Sequence, residues 1–594
     1  MSQEIIEWDL SSLYKGTDDP RIDKDIKEIE AKVKKLIEKA KGNLNSDLLT
    51  PTQLKEWFEY YEEASTKAFY LNLYSGLIYS ITSLDDEVKA LKAKIDDFST
   101  KMQQETLFFN LELNQISEER FKELVNSPVL SNYKHEIEYN RLEKAHQLSE
   151  SEEQIVLMKD LTGRKGFRKL YSEITSGFTY EFDVDGEKKT MTGSELFSLM
   201  YHTDKDVRYN ALQTYISEYK NNELTFTHIY NNILKDWVQE CERRKFKTPI
   251  AKRNLENEVD DDIVETLGKV TTKSNTIVEK YYNIKKKILK LPELKMSDIY
   301  APVGEVSKKY SYKEAVELIK DANQNFSPKF REIVEKMVEQ EHIDVTPRKG
   351  KVEGAFCSYG KMNEYPYVFL NFTGTVDSVL TLAHELGHAI HHYLIQQKQT
   401  FTNIGSSLPV AEIASVFNEI VAFDFLIKQD LSKKDKIALL ANHIEGNFST
   451  SHRQNAFYRY EKHIHNLIKE KLPTTDDFKE SFAKEMELMF GNSITNIKED
   501  YESYCFVVPH FIDVPFYVYA YNMSNLLVIA LYQLYLEQKE KFIPKFIDLL
   551  SVGKSMTPAE MLARMGIDLT DSTFWHKGID YLSRKIDELE ELIN

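Results

Sequence analysis

The sequence predicts a mostly α-helical protein with two short segments that form strands. Apolar residues recur at steps of three and four in several long stretches, which is the spacing of one face of an α-helix. Glycine and proline, which interrupt helices, number only 21 and 15 among 594 residues. Hydrophobic residues make up 42% of the chain and charged residues 29%, a balance typical of globular proteins and not of disordered ones.

Three stretches show the helical spacing most clearly, and each predicts one long amphipathic helix. The charged residues between the apolar positions are expected to face solvent, so these helices need no explanation beyond core packing. The three apolar stripes are Ile22, Ile26, Ile29, Val33, Leu36 and Ala40; Leu84, Val88, Leu91, Ile95, Phe98 and Met102; and Trp575, Ile579, Leu582, Ile586 and Leu589.

Two segments interrupt the helical pattern. Residues 178–184 alternate between apolar and polar side chains and reach Asp185-Gly186, which predicts a strand followed by a hairpin turn. Residues 365–372 predict a second strand, and Pro366 near its start places that strand at a sheet edge. Residues 371–375 then form a turn that leads into a helix.

Domain boundaries are weakly marked, because the chain has no internal repeat, low-complexity tract or clear linker. We place a nominal boundary near residue 200. It divides the chain into an N-terminal helical domain, residues 1–200, and a second domain, residues 201–594, which carries the chemistry described below.

The charge and cysteine content bear on the partners and the compartment. The formal net charge is −18, which argues against a nucleic-acid backbone or an anionic membrane as the main partner. The N-terminus lacks signal-peptide features, and the longest apolar run, residues 526–532, is too short to span a bilayer. Cys241, Cys357 and Cys505 are far apart and cannot form a closed disulfide framework. We therefore predict a cytoplasmic protein.

The most informative segment is TLAHELGHAIHHYL, residues 381–394, which contains an HExxH motif. On a helix, His384 and His388 lie on one face and can present two imidazole nitrogens to one zinc ion. Glu385, one residue further, can face a metal-bound water and act as a general base. The motif is specific, because chance matches number only about 0.04 in a chain of this size.

A third metal ligand is required. The metzincin pattern needs glycine at 391 and histidine at 394, whereas this chain has His391 and Leu394. A glutamate on a following helix is the other solution, and the helical stretch 409–426 offers Glu412 and Glu419. We predict that Glu412 is the ligand and that Glu419 accepts a hydrogen bond from a ligand histidine; the opposite assignment remains open.

A third segment, HFIDVPFYVYAYNMS at residues 510–524, groups His510 with Tyr517, Tyr519 and Tyr521. Peptide hydrolysis needs hydrogen-bond donors aimed at the developing oxyanion, and histidine and tyrosine can supply them. From the residues alone, an aromatic stripe that packs in the core is an equally good interpretation.

Together these motifs resemble those of oligoendopeptidase F, a branch of the thimet-oligopeptidase-like zinc metallopeptidases. The resemblance rests on HELGHAIHHY, PVAEIASVFNE and HFIDVPFYVYAY. It extends to WDLSSLY at residues 8–14 and to residues 555–575, so it spans nearly the whole chain. The resemblance implies a two-lobed helical zincin-type fold, with a small β-sheet beside the active-site helix, a deep substrate channel and lobes that interleave along the chain.

The resemblance also implies a function. It matches His384, His388 and Glu412 to the ligands of one zinc ion per chain and Glu385 to the catalytic base. It matches His510 and Tyr521 to transition-state donors, with Tyr517 or Tyr519 as alternatives to Tyr521. The expected activity is endopeptidase cleavage of short peptides in the cytosol.

Two alternative functions remain. An exopeptidase on the same zinc site would trim peptides from one end, and a catalytically inactive helical protein would only bind them. Neither the natural peptides nor the oligomeric state follows from the sequence.

Overall fold

The fold is described from a computed structural model that covers residues 5–46, 48–184, 186–304 and 306–594. The protein is mostly helical with two small sheets, as the sequence predicts. It divides into two compact units that interleave along the chain. The boundary near residue 200 stays a prediction. None of the helices in these four ranges is both long enough and apolar enough to cross a membrane.

The first unit is formed by the residues up to Lys144 together with Lys308–Gln429 and Tyr535–Ile567. Its helices are α1 (Pro20–Ala40), α2 (Pro51–Ile81), α3 (Asp86–Thr106), α4 (Phe108–Leu113), α5 (Glu118–Val125), α6 (Lys134–Lys144), α15 (Tyr312–Phe326), α16 (Pro328–Glu339), α17 (Val376–Lys398), α18 (Leu408–Ala411), α19 (Ile413–Leu426), α26 (Phe542–Leu549) and α27 (Pro558–Ala563). Its strands are β3 (Ile343–Asp344), β4 (Phe356–Ser358) and β5 (Tyr367–Phe369).

The second unit is formed by Ala145–Ser307, Asp430–Leu534 and Asp568–Asn594. Its strands are β1 (Tyr180–Val184) and β2 (Glu187–Met191). Its helices are α7 (Glu150–Asp160), α8 (Arg164–Ser176), α9 (Gly193–Ser198), α10 (Lys205–Asn221), α11 (Glu223–Arg243), α12 (Ala251–Glu256), α13 (Asp261–Lys273), α14 (Asn275–Leu289), α20 (Lys433–Thr450), α21 (His452–Glu470), α22 (Thr475–Phe490), α23 (Ile497–Tyr501), α24 (His510–Asp513), α28 (Ser572–Ile593) and, for most of its length, α25 (Tyr519–Gln538).

The three predicted amphipathic helices are confirmed as α1, α3 and α28. Helix α1 begins where Asp19 accepts the backbone N–H of Arg21, and its buried face consists of Ile22, Ile29, Val33, Leu36 and Ala40. One detail was wrong: Leu84 precedes α3 and its side chain is 62% exposed, so it does not belong to the buried stripe.

The predicted strand at 365–372 is β5, but its predicted place at a sheet edge was wrong. The strand order is β3-β5-β4, so β5 lies in the centre. It pairs in parallel with β3 and antiparallel with β4. Pro366 is compatible with a central strand because it stands just before β5 and removes no hydrogen bond from the ladder. The sheet edge next to the helix of the HExxH motif is β4, a three-residue strand that the sequence pattern did not indicate.

The predicted hairpin is formed by β1 and β2, which pair antiparallel from Tyr180↔Met191 to Val184↔Glu187. Gly186 has a φ of +87°, a conformation that glycine adopts without strain. Asp185, the other residue of the predicted turn, lies outside the described residues.

Candidate metal centre

The HExxH motif lies in the middle of α17, a helix of 23 residues. Thr375 caps the start of the helix, because its side chain accepts the backbone N–H of Ser378. Residues four apart on such a helix share a face, and the imidazole rings of His384 and His388 lie 5.0 Å apart.

Helix α19 approaches α17 unusually closely at Gly387. A Cβ atom at Gly387 would stand 2.5 Å from the carbonyl oxygen of Ala414 and 2.6 Å from the Cα atom of Ser415. The Asn418 side chain also donates a hydrogen bond of 2.7 Å to the carbonyl of Ala383. Because only glycine permits this contact, the glycine inside the motif sets how near a residue of the second helix can come to the histidines. The sequence pattern alone does not indicate this role of Gly387.

Three potential ligand atoms converge at this contact. Glu412 Oε2 lies 3.3 Å from His384 Nε2 and 3.3 Å from His388 Nε2. Two atoms bound to zinc at its usual distances and separated by a tetrahedral angle lie about 3.3 Å apart. The donor set therefore fits a metal ion such as zinc, and among the described residues it is the one His/Cys/Asp/Glu cluster of metal-binding dimensions.

Glu412 stands at a break in the predicted helix 409–426. The structure divides that stretch into α18 and α19, with Glu412 between them at φ −89° and ψ 4°. Its carboxylate accepts a hydrogen bond of 2.6 Å from Ser415 Oγ, which orients the oxygen that faces the histidines. The break therefore positions Glu412 directly before the first residue of α19, where its side chain reaches α17.

Glu419 lies behind the first histidine. Its Oε2 is 3.1 Å from His384 Nδ1, the ring nitrogen that does not face Glu412. A hydrogen bond from Nδ1–H to this carboxylate would leave Nε2 as the unprotonated nitrogen that a metal requires.

The electrostatics of the cluster favour a bound cation. Burial would lower the pKa of His384, but its hydrogen bonds to Glu412 and Glu419 outweigh burial and raise that pKa to about 10. Burial opposes ionisation of Glu412, yet the two histidines hold the pKa of its carboxyl far below the usual range. The two carboxylates thus favour positive charge at His384, as they would favour a metal cation at the same atoms.

Glu385 is a buried carboxyl next to this charge. Glu385 is only 7% exposed. Burial raises the pKa of Glu385, and the nearby His384 and His388 partly offset that rise. A carboxyl with a raised pKa suits a group that takes a proton and then returns it.

Two further histidines, His391 and His392, follow the motif on α17 and do not belong to the cluster of potential ligands. His391 is 1% exposed, and burial lowers its pKa to about 3. The ring of His392 stacks on Tyr359 at 3.6 Å, and its Nδ1 lies 3.7 Å from the Sγ atom of Cys357 on β4. These contacts join α17 to the edge strand of the sheet.

The predicted donor segment belongs to the second unit. His510 Nε2 lies 3.4 Å from the hydroxyl oxygen of Tyr521, and the rings of Tyr517 and Tyr521 are 5.2 Å apart. Tyr521 is 36% exposed, whereas Tyr519 is buried and its hydroxyl accepts a hydrogen bond of 2.8 Å from Asn257. Tyr519 thus has the surroundings of a core tyrosine, while His510, Tyr517 and Tyr521 form one partly exposed group.

Comparison with known proteins identifies the family. The family model "Peptidase family M3" matches residues 198–581, and the model "Oligopeptidase F" matches residues 112–180. The chain belongs to peptidase family M3. It is therefore a metallo-oligopeptidase, and the expectation of an oligoendopeptidase F-like enzyme with peptide substrates is confirmed.

Individual relatives agree with this assignment. The chain is 27% identical to an oligoendopeptidase F homolog of Borreliella burgdorferi, covering 98% of both chains. It is 26% identical to the oligopeptidase PepF of Bacillus subtilis, covering 85% of this chain and 76% of the relative.

Solved structures show the same fold. A crystal structure from Chlamydophila abortus matches with a TM-score of 0.88 at 23% identity, covering 99% of this chain and 98% of the other. Oligoendopeptidase F from Enterococcus faecium matches with a TM-score of 0.69 at 21% identity, covering 97% and 99%. These structural matches confirm the predicted helical zincin-type fold.

Proposed function

We propose that the protein is a zinc-dependent endopeptidase that cleaves internal bonds of short peptides, with one zinc ion held by His384, His388 and Glu412. The observation that carries the proposal is the pair of 3.3 Å distances from Glu412 Oε2 to the two Nε2 atoms. A zinc ion at these atoms would act as a Lewis acid that lowers the pKa of a water molecule and polarises the scissile carbonyl.

The remaining steps fall to side chains of this chain. Glu385 takes the proton of the attacking water and delivers it to the leaving amine, a role that its raised pKa supports. Glu419 holds the proton on His384 Nδ1 and keeps Nε2 directed at Glu412.

We assign stabilisation of the oxyanion to His510 and Tyr521, with Tyr517 as the alternative tyrosine. The close approach of His510 Nε2 to the Tyr521 hydroxyl supports this choice, because each group can orient the other. The partial exposure of Tyr521 also supports it, since a donor must be accessible to substrate.

Strand β4 is the proposed binding edge for the peptide backbone. It is an edge strand in the order β3-β5-β4, and Cys357 within it contacts His392 of the motif helix. An extended peptide that adds to this edge would be bound mainly through backbone hydrogen bonds, so recognition would tolerate many sequences.

We also infer a reducing, cytoplasmic compartment, which the three unpaired cysteines support.

A peptide blocked at both ends tests the endopeptidase assignment. We expect cleavage of an internally quenched peptide of about ten residues with an acetylated N-terminus and an amidated C-terminus. Mass spectrometry of the products should show one or a few internal bonds broken. Release of single terminal residues from an unblocked control peptide, with no cleavage of the blocked one, would indicate an exopeptidase. Binding without cleavage of either peptide would indicate an inactive binding protein.

A further inference from the structure

The segment that joins His510 to Tyr521 contains a strained residue. Phe516 has a φ of +59°, the left-handed region, and its side chain is only 1% exposed. Bulky residues rarely adopt this conformation, and such outliers persist only where the surroundings hold them in place. Tyr517 follows Phe516 directly, so the backbone at Phe516 sets the direction in which the chain enters α25, the helix that carries Tyr521.

A buried glutamate holds this strained backbone. Glu461, on α21, is completely inaccessible to solvent, and its Oε1 accepts the backbone N–H of Phe516 at 2.9 Å. Its Oε2 is buried and has no hydrogen-bond partner among the described residues. A buried carboxyl is costly, and an apolar side chain would fill the same space at lower cost. Packing alone therefore does not account for Glu461.

Two more side chains contact the turn at Phe516. Arg253 Nε donates a hydrogen bond of 3.2 Å to the carbonyl of Pro515, the residue before Phe516. The His465 ring, one turn after Glu461 on α21, lies 4.4 Å from the Phe516 ring. Side chains from α12 and α21 thus hold the turn at its N–H, its carbonyl and its ring.

We propose that Glu461 is a positioning residue, which fixes the strained turn at Phe516 and thereby keeps His510 and Tyr521 paired for their role in the reaction. The inference rests on the proposed function, since it assumes that Tyr521 acts on the oxyanion. It adds a residue that no motif in the sequence marks.

The protonation state of Glu461 determines the conservative replacement. Burial raises the pKa of Glu461 to about 8, although the Phe516 N–H and nearby Arg253 act against this rise. At neutral pH the carboxyl is thus mainly uncharged and accepts the N–H through one oxygen. Glutamine offers the same acceptor in the same shape, whereas leucine fills the space without an acceptor.

The experiment compares Glu461→Gln, Glu461→Leu and Tyr521→Phe by kcat and KM on a blocked peptide. Removal of one oxyanion donor lowers kcat by about 10²–10³-fold, which is the expected loss for Tyr521→Phe. For Glu461→Leu we expect at least a tenfold loss in kcat with a nearly unchanged KM. For Glu461→Gln we expect kcat within threefold of wild type, so the acceptor rescues the rate.

The double variant Glu461→Leu/Tyr521→Phe separates positioning from simple destabilisation. If Glu461 acts through Tyr521, the double variant should be no more than twofold slower than Tyr521→Phe alone, because the two changes remove the same contribution. Multiplied losses in kcat would overturn the proposal.

Two more variants serve as controls that distinguish loss of positioning from loss of stability. Arg253→Met loosens the same turn from its carbonyl side and should also lower kcat without raising KM. His452→Leu removes another buried polar side chain of α21, which contacts Ser274 and Ser451 and not the turn. We expect it to lower the melting temperature and to leave kcat of the folded protein unchanged.

The outcomes distinguish this inference from the proposed function. A slow Tyr521→Phe enzyme beside Glu461→Leu and Arg253→Met enzymes with wild-type kcat would overturn the positioning role alone. A Tyr521→Phe enzyme with wild-type kcat would overturn both the donor role of Tyr521 and the inference built on it.

Discussion

The Glu385→Gln variant is expected to bind metal as the wild type does and to lose about 10²–10⁴-fold in kcat, the usual contribution of a general acid–base. Glutamine keeps the shape of the side chain but cannot take a proton from water. Because the carboxyl does not belong to the three converging ligand atoms, the metal content should stay near that of the wild type.

Steady-state kinetics on a blocked peptide and elemental analysis of the purified variant check this expectation together. Glu335→Gln is a suitable control, since Glu335 pairs with Arg331 on α16 in the same unit and has no part in the site. Wild-type kcat in the Glu385→Gln enzyme would remove the proposed base. Loss of metal from it would make Glu385 a ligand.

The Glu412→Gln variant is expected to lose most of its metal and, with it, its activity. The replacement removes the negative charge at the atom that lies 3.3 Å from both histidine nitrogens. Glu419→Gln should also weaken metal binding, because it removes the acceptor beside His384 Nδ1, but only by about 10–100-fold in affinity.

Competition with a chelating dye of known affinity measures the zinc dissociation constants of both variants and of the wild type. The prediction is an order: wild type tightest, Glu419→Gln weaker and Glu412→Gln weakest. If Glu419→Gln loses the metal while Glu412→Gln retains it, the assignment of the two glutamates is reversed.

Helix periodicity and motif spacing were sufficient to predict most residues of the candidate metal centre. The spacing of His384 and His388 depends only on the pitch of a helix, so the sequence placed both on one face. The separation of Glu412 and Glu419 by seven residues, about two turns, likewise placed both on the side of their helix that faces α17. Local geometry was enough for these residues because His384 and His388 lie within α17, and because Glu419 lies within α19 while Glu412 directly precedes it.

Features that depend on contacts between distant segments were not predictable in this way. Strand β4 has three residues, too few for an alternating pattern, and β5 proved to be central because β3 and β4 come from separate stretches of chain. The break at Glu412 does not interrupt the apolar pattern of 409–426, so periodicity did not reveal it.

The backbone geometry at Gly387 and Phe516 could not be predicted from the sequence either. Gly387 could be read only as a tolerated helix residue until its distance to Ala414 was known. Nothing in the letters around Phe516 indicates a positive φ, since turns of that kind are usually marked by glycine or asparagine. Glu461 lies 55 residues earlier in the chain, and only the folded structure brings its carboxyl to the Phe516 N–H.

The central claim is that one zinc ion, held by His384, His388 and Glu412, carries the cleavage of internal peptide bonds. Titration of the metal-free protein with zinc, followed by the rate of cleavage of a blocked peptide, tests this claim most directly. We predict no cleavage without metal, a linear rise in rate and a plateau at one zinc ion per chain. Full cleavage by protein whose metal content is confirmed to be near zero, or a plateau reached only at two ions per chain, would contradict it.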